Sequence, residues 1–395
     1  MARSARRGTE SHFYHRSGRH ARASGAALQR GIILAHCAPK NNGLVDRRPG
    51  AIVFAVDTRE RAHPIEPELE EFEALIAAAG ARVVQRVVQK RDRVDPATLA
   101  GSGKARELAA LITEQNAHLL FVLNALRPRQ RRNLEKIITA PIVDRTMLIL
   151  DVFASHARTR EGKLQVELAQ LRYRQSNLIG IGADLSRLGG GIGTRGPGET
   201  KLETDRRRIA ARIKVLSAAV EDVRRSRATR RARDAREPLV ALAGYTNVGK
   251  SSLLNRLARS DALVADQPFA TLDPTMRRVY LGPGTYVRMV DTVGFISELP
   301  QDLIAAFRAT LEELEEADLL LHVVDASSPN RERQQASVNG ILHELKLEAT
   351  PQALVLNKCD LATGDPPHRG DELCVSAKTG SGIGDLRAQL RERFS

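Results

Sequence analysis

Tryptophan is absent from the 395 residues, and all aromatic side chains together make up 4%. Base stacking on indole is therefore excluded, and recognition of a flat ring falls to other groups. The three cysteines, Cys37, Cys359 and Cys374, lie far apart and lack metal-ligand spacing. That excludes a disulfide scaffold and points to a reducing compartment. No apolar run approaches the roughly 20 residues that a membrane span needs. Acidic residues are scarce at the start: residues 1–50 contain only Glu10 and Asp46, among many Arg, His and Ser. Such a segment cannot build a core and reads as a disordered basic extension. It is Arg-rich and acid-poor like a transit peptide but has no amphipathic period, so a tail or a misplaced start codon is the better reading.

What the chain does contain is ordinary globular composition, 42% hydrophobic and 27% charged, at a length suited to two or three domains. Its charge is unevenly placed. The whole carries +14, while residues 238–395 hold 16 Lys+Arg against 21 Asp+Glu, a net −5, which leaves +19 on the first 237 residues. A basic front half on a mildly acidic back half suits a module that binds a polyanion, nucleic acid first. An Arg-rich proteome with solvated helix faces would give a similar balance.

From residue 51 strands and helices alternate. AIVFAV (51–56) reads as a buried strand, ELEEFEALIAAAG (68–80) as a helix stopped by Gly80, ARVVQRVVQ as a strand and KARELAALITEQ as a helix. HLLFVL (118–123) is a strand, RQRRNLEKI a helix, and PIVDR a short strand before a helix from about 146. This alternation predicts a parallel α/β domain over 51–160. GSGK (101–104) lacks the spacer of a phosphate loop and reads as a turn opening a helix. Residues 161–237 are predicted to form two long charged helices joined by LGGGIGTRGPGET (188–200), too rich in glycine to be regular structure. In the second helix Ile209, Ile213, Leu216, Val220 and Val223 recur at helical spacing. The result is a projecting hairpin whose tip, with Arg195 and Lys201, is a candidate contact element; a flexible linker is the plainer alternative.

After Pro238 comes a strand, a loop and a helix, and the loop fits G-x-x-x-x-G-K-S. Gly244, Tyr245, Thr246, Asn247, Val248 and Gly249 would curl backbone N–H groups around phosphates at a helix N-terminus. Lys250 would bridge the β- and γ-phosphates, and Ser251, followed by Ser252, would ligate Mg²⁺ through its hydroxyl. Further on, LVLNKCDL ends an apolar strand in Asn357, Lys358, Cys359 and Asp360. A carboxylate there can accept from guanine N1–H and N2–H₂ together, a pair adenine does not present, so the base is guanine. Lys358 can lay its stem along the ring, and Ser376, Ala377 and Lys378 of VSAKTG supply backbone donors for O6. Between these segments lie FATLDPT and DTVGF. Phe269, Ala270, Thr271, Leu272 and Asp273 form one nucleotide-sensing loop, with Thr271 a second Mg²⁺ ligand. Asp291, Thr292, Val293 and Gly294 form the other, with Asp291 holding a Mg²⁺-bound water and the Gly294 N–H meeting the γ-phosphate. Lys250, Thr271 and Gly294 are the expected catalytic set. Phe295 stands where a water-aligning glutamine would be and cannot do that work.

The set GYTNVGKS, FATLDPT, DTVGF, NKCD and SAK, together with the stretch RGPGETKLETDRR, resembles the HflX family of translational GTPases in the Obg–HflX group. The likeness covers roughly residues 51–395 and leaves 1–50 outside. It implies an N-terminal α/β domain, a long helical hairpin and a C-terminal Ras-like P-loop GTPase domain at 238–395. It also implies a cytoplasmic, monomeric GTP hydrolase that binds the large ribosomal subunit and its rRNA and splits or rescues stalled or idle ribosomes under stress, with association at a ribosome or membrane surface left open. The glycine-rich hairpin would reach toward the peptidyl-transferase centre. Family members also carry apolar residues after the DxxG glycine, so Phe295 fits. Two other readings stand beside this one, a checkpoint in large-subunit assembly and an ATP-dependent rRNA remodeller. ATP binding has been proposed for the family's N-terminal domain, but residues 51–145 hold no phosphate loop.

Overall fold

The computed structural model describes residues 48–61, 63–188, 197–234, 237–259, 268–269, 274–297, 313–362 and 373–395. Nearly all of the basic extension, the tip of the glycine-rich loop with Arg195, and Ala270, Thr271, Leu272 and Asp273 lie outside the described residues.

Strands β1 (Gly50–Thr58), β2 (Arg82–Arg91), β3 (Leu119–Val122) and β4 (Ile142–Asp144) form a wholly parallel sheet in the order β2-β1-β3-β4. The central strands are apolar residue after residue because helices cover both faces. Helices α1 (Glu66–Ala78) and α4 (Arg145–His156) pack on Val53, Leu119 and Phe121. Helices α2 (Ser102–Glu114) and α3 (Pro128–Glu135) pack on Ile52, Phe54 and Leu120. Gly80, at φ 82°, ends α1, and Gly101, at φ 88°, opens α2, so GSGK is the start of a helix. Asp144 caps α4 by accepting the Met147 N–H at 2.9 Å.

Two helices follow, α5 (Arg160–Leu188) and α6 (Pro197–Asp234). At 1.5 Å per residue the second is about 57 Å long. They meet through Leu168, Leu171 and the buried Leu216, flanked by Leu164, Ile209, Ile213 and Val220. Arg212 adds a two-pronged ion pair to Glu167 at 2.8 and 3.0 Å.

The second sheet contains β5 (Leu239–Gly244), β6 (Thr275–Gly282), β7 (Thr285–Asp291), β8 (Leu319–Asp325), β9 (Gln352–Asn357) and β10 (Leu373–Cys374). Its order is β10-β9-β8-β5-β7-β6, parallel except for the edge pair β6–β7. Helices α7 (Lys250–Ala258), α8 (Arg331–Glu344) and α9 (Ile383–Phe394) belong to this layer. β5 is buried throughout, and the loops after β5, β7 and β9 gather at one end of the sheet, where open α/β sheets bind ligands. A single buried apolar cluster runs from α1 and α4 into this second sheet. Among the described residues no helix is long and apolar enough to cross a membrane.

Candidate nucleotide site

The loop after β5 turns tightly into α7. Gly249, at φ 89°, approaches Asn357 so closely that any side chain at 249 would collide with that carboxamide. Asn357 is 1% exposed and staples two loops: its Nδ2 donates to Val248 O at 2.8 Å, and its Oδ1 accepts the Ala377 N–H at 3.0 Å. The Asn of NKCD thus fixes the phosphate loop against the SAK loop. Asp360 is exposed and accepts from Ser376 Oγ at 2.6 Å. Lys358 stands in the left-handed region (φ 63°) and pairs with Asp325 at 2.8 Å. Cys359 donates its N–H to Val375 O at 3.2 Å.

At the phosphate end, Lys250 is buried and its ammonium donates to Gly244 O at 3.0 Å and Tyr245 O at 2.8 Å. Burial pulls its pKa down to about 8, opposed by the Asp291 charge. His322, in β8 opposite Ala243, is pushed down to about 4 by burial and then by the nearby Lys250, so it is neutral at pH 7. Ser251 Oγ donates to Asp291 Oδ2 at 2.5 Å, bringing together a hydroxyl and a carboxylate of the kind that hard divalent cations prefer. Thr292 is fully buried and donates to Leu242 O at 2.7 Å, fixing the DTVG loop to β5.

The residue after Gly294 is 1% exposed, and its ring fills the core. Its backbone forms a two-bond bridge to the phosphate loop, Phe295 N–H to Gly244 O at 3.1 Å and Thr246 N–H to Phe295 O at 2.7 Å. Phe269 packs edge-on against Phe153 of α4, centroids 4.4 Å apart.

Three residues at this site, Glu71, Arg145 and Ser297, escape sequence reading. Tyr245 is legible as a phosphate-loop member, but its hydroxyl leaves the loop. It donates to the Glu71 carboxylate of α1, accepts the Ser297 N–H at 2.6 Å and lies 2.6 Å from Ser297 Oγ. Arg145, opening α4, donates to Glu71 at 2.6 Å and to Ser297 O at 2.6 Å. Burial pushes the Glu71 pKa up, while Arg145 and the Tyr245 and Ser297 hydroxyls pull it back. A second contact leaves α1 for another helix: Glu68 accepts from Arg333 of α8 at 2.6 Å.

Three family descriptions match in sequence order: GTP-binding GTPase N-terminal over residues 66–154, GTP-binding GTPase middle region over 156–234, and 50S ribosome-binding GTPase over 239–358. Among curated proteins, the GTPase HflX of Alkalihalophilus pseudofirmus is 47% identical over 345 residues, 86% of this chain and 82% of that protein. That of Caldanaerobacter subterraneus is 48% identical, covering 83% and 78%. That of Escherichia coli is 44% identical, covering 83% and 79%. At such identity over most of both chains, with a nucleotide domain after an α/β layer and a helical pair, the chain belongs to the HflX family and hydrolyses GTP.

Proposed function

We propose that this GTPase docks on the large ribosomal subunit and its rRNA in the GTP-bound state and separates stalled or idle ribosomes. The observation that carries the reading is the match of residues 239–358 to a 50S ribosome-binding GTPase description. The +19 charge of the first 237 residues and the long helical pair on either side of the glycine-rich sequence support it. In this reading the backbone N–H groups of 247–251 cradle the phosphates, Lys250 neutralises the β–γ oxygens, and Asp360 reads guanine. Ser251 and Thr271 would hold Mg²⁺, with Asp291 bonding a water on it. The pairing of Ser251 with Asp291 supplies oxygen donors where that ion would sit. When bound, the ion neutralises charge on the β- and γ-phosphates.

Phe295 sets the rate. Its ring is buried and carries no carboxamide, so no side chain at 295 aligns the attacking water. Intrinsic hydrolysis is then slow, and docking supplies the missing alignment; such assistance is worth about 10³–10⁵ in rate. The protein would stay GTP-loaded and competent to bind until it engages its target.

Sedimentation tests the reading. The purified protein with a non-hydrolysable GTP analogue is mixed with intact ribosomes and run on a gradient. Free subunits, with the protein on the large one, are expected. Intact ribosomes with protein bound only to immature large subunits would replace splitting by an assembly role, and equal engagement with GDP would remove the switch.

A further inference from the structure

Phe269 and Ser297, one from each nucleotide-sensing segment, both contact α4 of the N-terminal layer. Phe269 packs on Phe153 at one of its turns. At its first turn Arg145 reaches Ser297 O and Glu71, each at 2.6 Å. Glu71 takes Arg145 on Oε1 and the Tyr245 hydroxyl on Oε2, and Tyr245 in turn accepts the Ser297 N–H. A closed ring results: a carboxylate of α1, a guanidinium of α4, a phenol of the phosphate loop and the backbone of the loop after Gly294. The ring is shielded, with side-chain exposures of 6% for Arg145 and 15% for Glu71, so its charge-assisted bonds are of the stronger kind.

The ring has a geometric consequence at the phosphate end. With Ser297 pinned and Phe295 bridged to the phosphate loop, Gly294 is pressed onto that loop. A Cβ on Gly294 would stand 2.8 Å from Thr246 Cα and 3.1 Å from Lys250 Nζ. A γ-phosphate oxygen needs about 3 Å from the Lys250 ammonium and about 3 Å from the Gly294 N–H. At this approach the Gly294 backbone crowds the space beside the Lys250 ammonium that a γ-phosphate would enter, while two of the three ammonium donors go to the Gly244 and Tyr245 carbonyls. The α- and β-phosphates, cradled by 247–251, make no such demand. The clamp is also releasable: Nε and Nη1 of Arg145 have no partner among the described residues, a cost that weakens its hold.

We propose that Glu71 and Arg145 are positioning residues that set the discrimination between GTP and GDP, by holding Phe295–Ser297 against the phosphate loop so that the third phosphate has to lift it. A triphosphate then binds only the fraction of molecules with the clamp open, and its apparent affinity is reduced by that fraction, whereas a diphosphate binds either form.

The test uses full-length protein and no ribosomes, so it stands or fails separately from the docking reading. Affinities for GDP and for a non-hydrolysable GTP analogue are measured by titration for the wild type, Glu71→Gln and Arg145→Lys. Both substitutions keep the side-chain volume, and GDP affinity within twofold of wild type reports an intact fold and phosphate loop. The ratio of analogue Kd to GDP Kd is expected to fall about tenfold in both variants. Amide exchange at 293–297 should quicken in the GDP-bound variants. Equal shifts for both nucleotides, an unchanged ratio, or a ratio that rises would each overturn the proposal. If Glu71→Gln fails to fold, Arg145→Lys, which retains the charge that balances Glu71, decides alone.

Discussion

At the scale of single residues, Asp360 offers the sharpest prediction. Its carboxylate takes the Ser376 hydroxyl on Oδ1 and has further lone pairs open to a base. A carboxylate accepts from guanine N1–H and N2–H₂ together, whereas an asparagine amide accepts once and turns an NH₂ donor toward the base amino group. Asp360→Asn should therefore lose GDP affinity by about 100-fold, the scale expected when a paired polar group meets the wrong partner. It should gain xanthosine diphosphate, whose C2 carbonyl accepts from that NH₂. Competition between the two diphosphates for the purified variant measures both effects. Unaltered GDP affinity would place the base elsewhere. Residues of this kind were legible because the chemistry of a nucleotide dictates their spacing. Glu71, Arg145 and Ser297 were not: the Tyr245–Glu71 contact spans 174 positions, and EPELEEFE reads locally as a solvated acidic helix face.

At the scale of elements, hydrophobic period located nearly every strand and helix of the first layer, because each buries one side in a core that has to be apolar. The helix read from 68 begins at Glu66, with Pro67 in its first turn, a position where a missing N–H costs nothing. The long helices were legible from a stripe, and the structure says which part of it is used. Leu216 is buried at 1% between Leu168 and Leu171, while its neighbour Val215 is 59% exposed. Leu216→Ala should cost the α5–α6 pair about 2–4 kcal/mol through lost burial and the cavity left behind. Arg212→Ala, which removes a half-exposed pair with Glu167, should cost under about 1 kcal/mol. Amide exchange across 205–223 would rank the two, and GDP affinity should hold in both. If Arg212→Ala loosens the helices more than Leu216→Ala, the ion pair and not the leucine seam joins them. What sequence could not reveal at this scale is that α1 and α4, ordinary sheet-covering helices, also brace the nucleotide loops. Their outward faces are settled only when the two layers meet.

For the whole molecule, the question is how much of the +19 front half is available to a polyanion. On α6 several arginines stand beside carboxylates: Arg207 lies near Glu203, Arg208 near Asp205, Arg224 near Glu221 and Arg225 near Asp222. These exposed pairs are each worth little and exchange readily for phosphate, but each exchange frees a carboxylate that repels the same backbone. Net charge already subtracts these paired carboxylates, so the +19 counts the cations in excess of them. Arg195 and Lys201 belong to a stretch of sequence, 188–202, with a single acid, Glu199. Each phosphate neutralised contributes about −0.7 to −0.9 to the slope of log affinity against log salt. Arg195→Ala combined with Lys201→Ala should thus weaken binding of the analogue-loaded protein to large subunits and flatten that slope by about 1.4–1.8 between 50 and 200 mM salt. GDP affinity should be untouched, because the nucleotide loops are those that follow β5, β7 and β9 of the second sheet. An unchanged slope would remove the hairpin tip from the contact, and a loss of GDP affinity would make the tip part of the nucleotide site, joining two regions that the charge distribution sets apart.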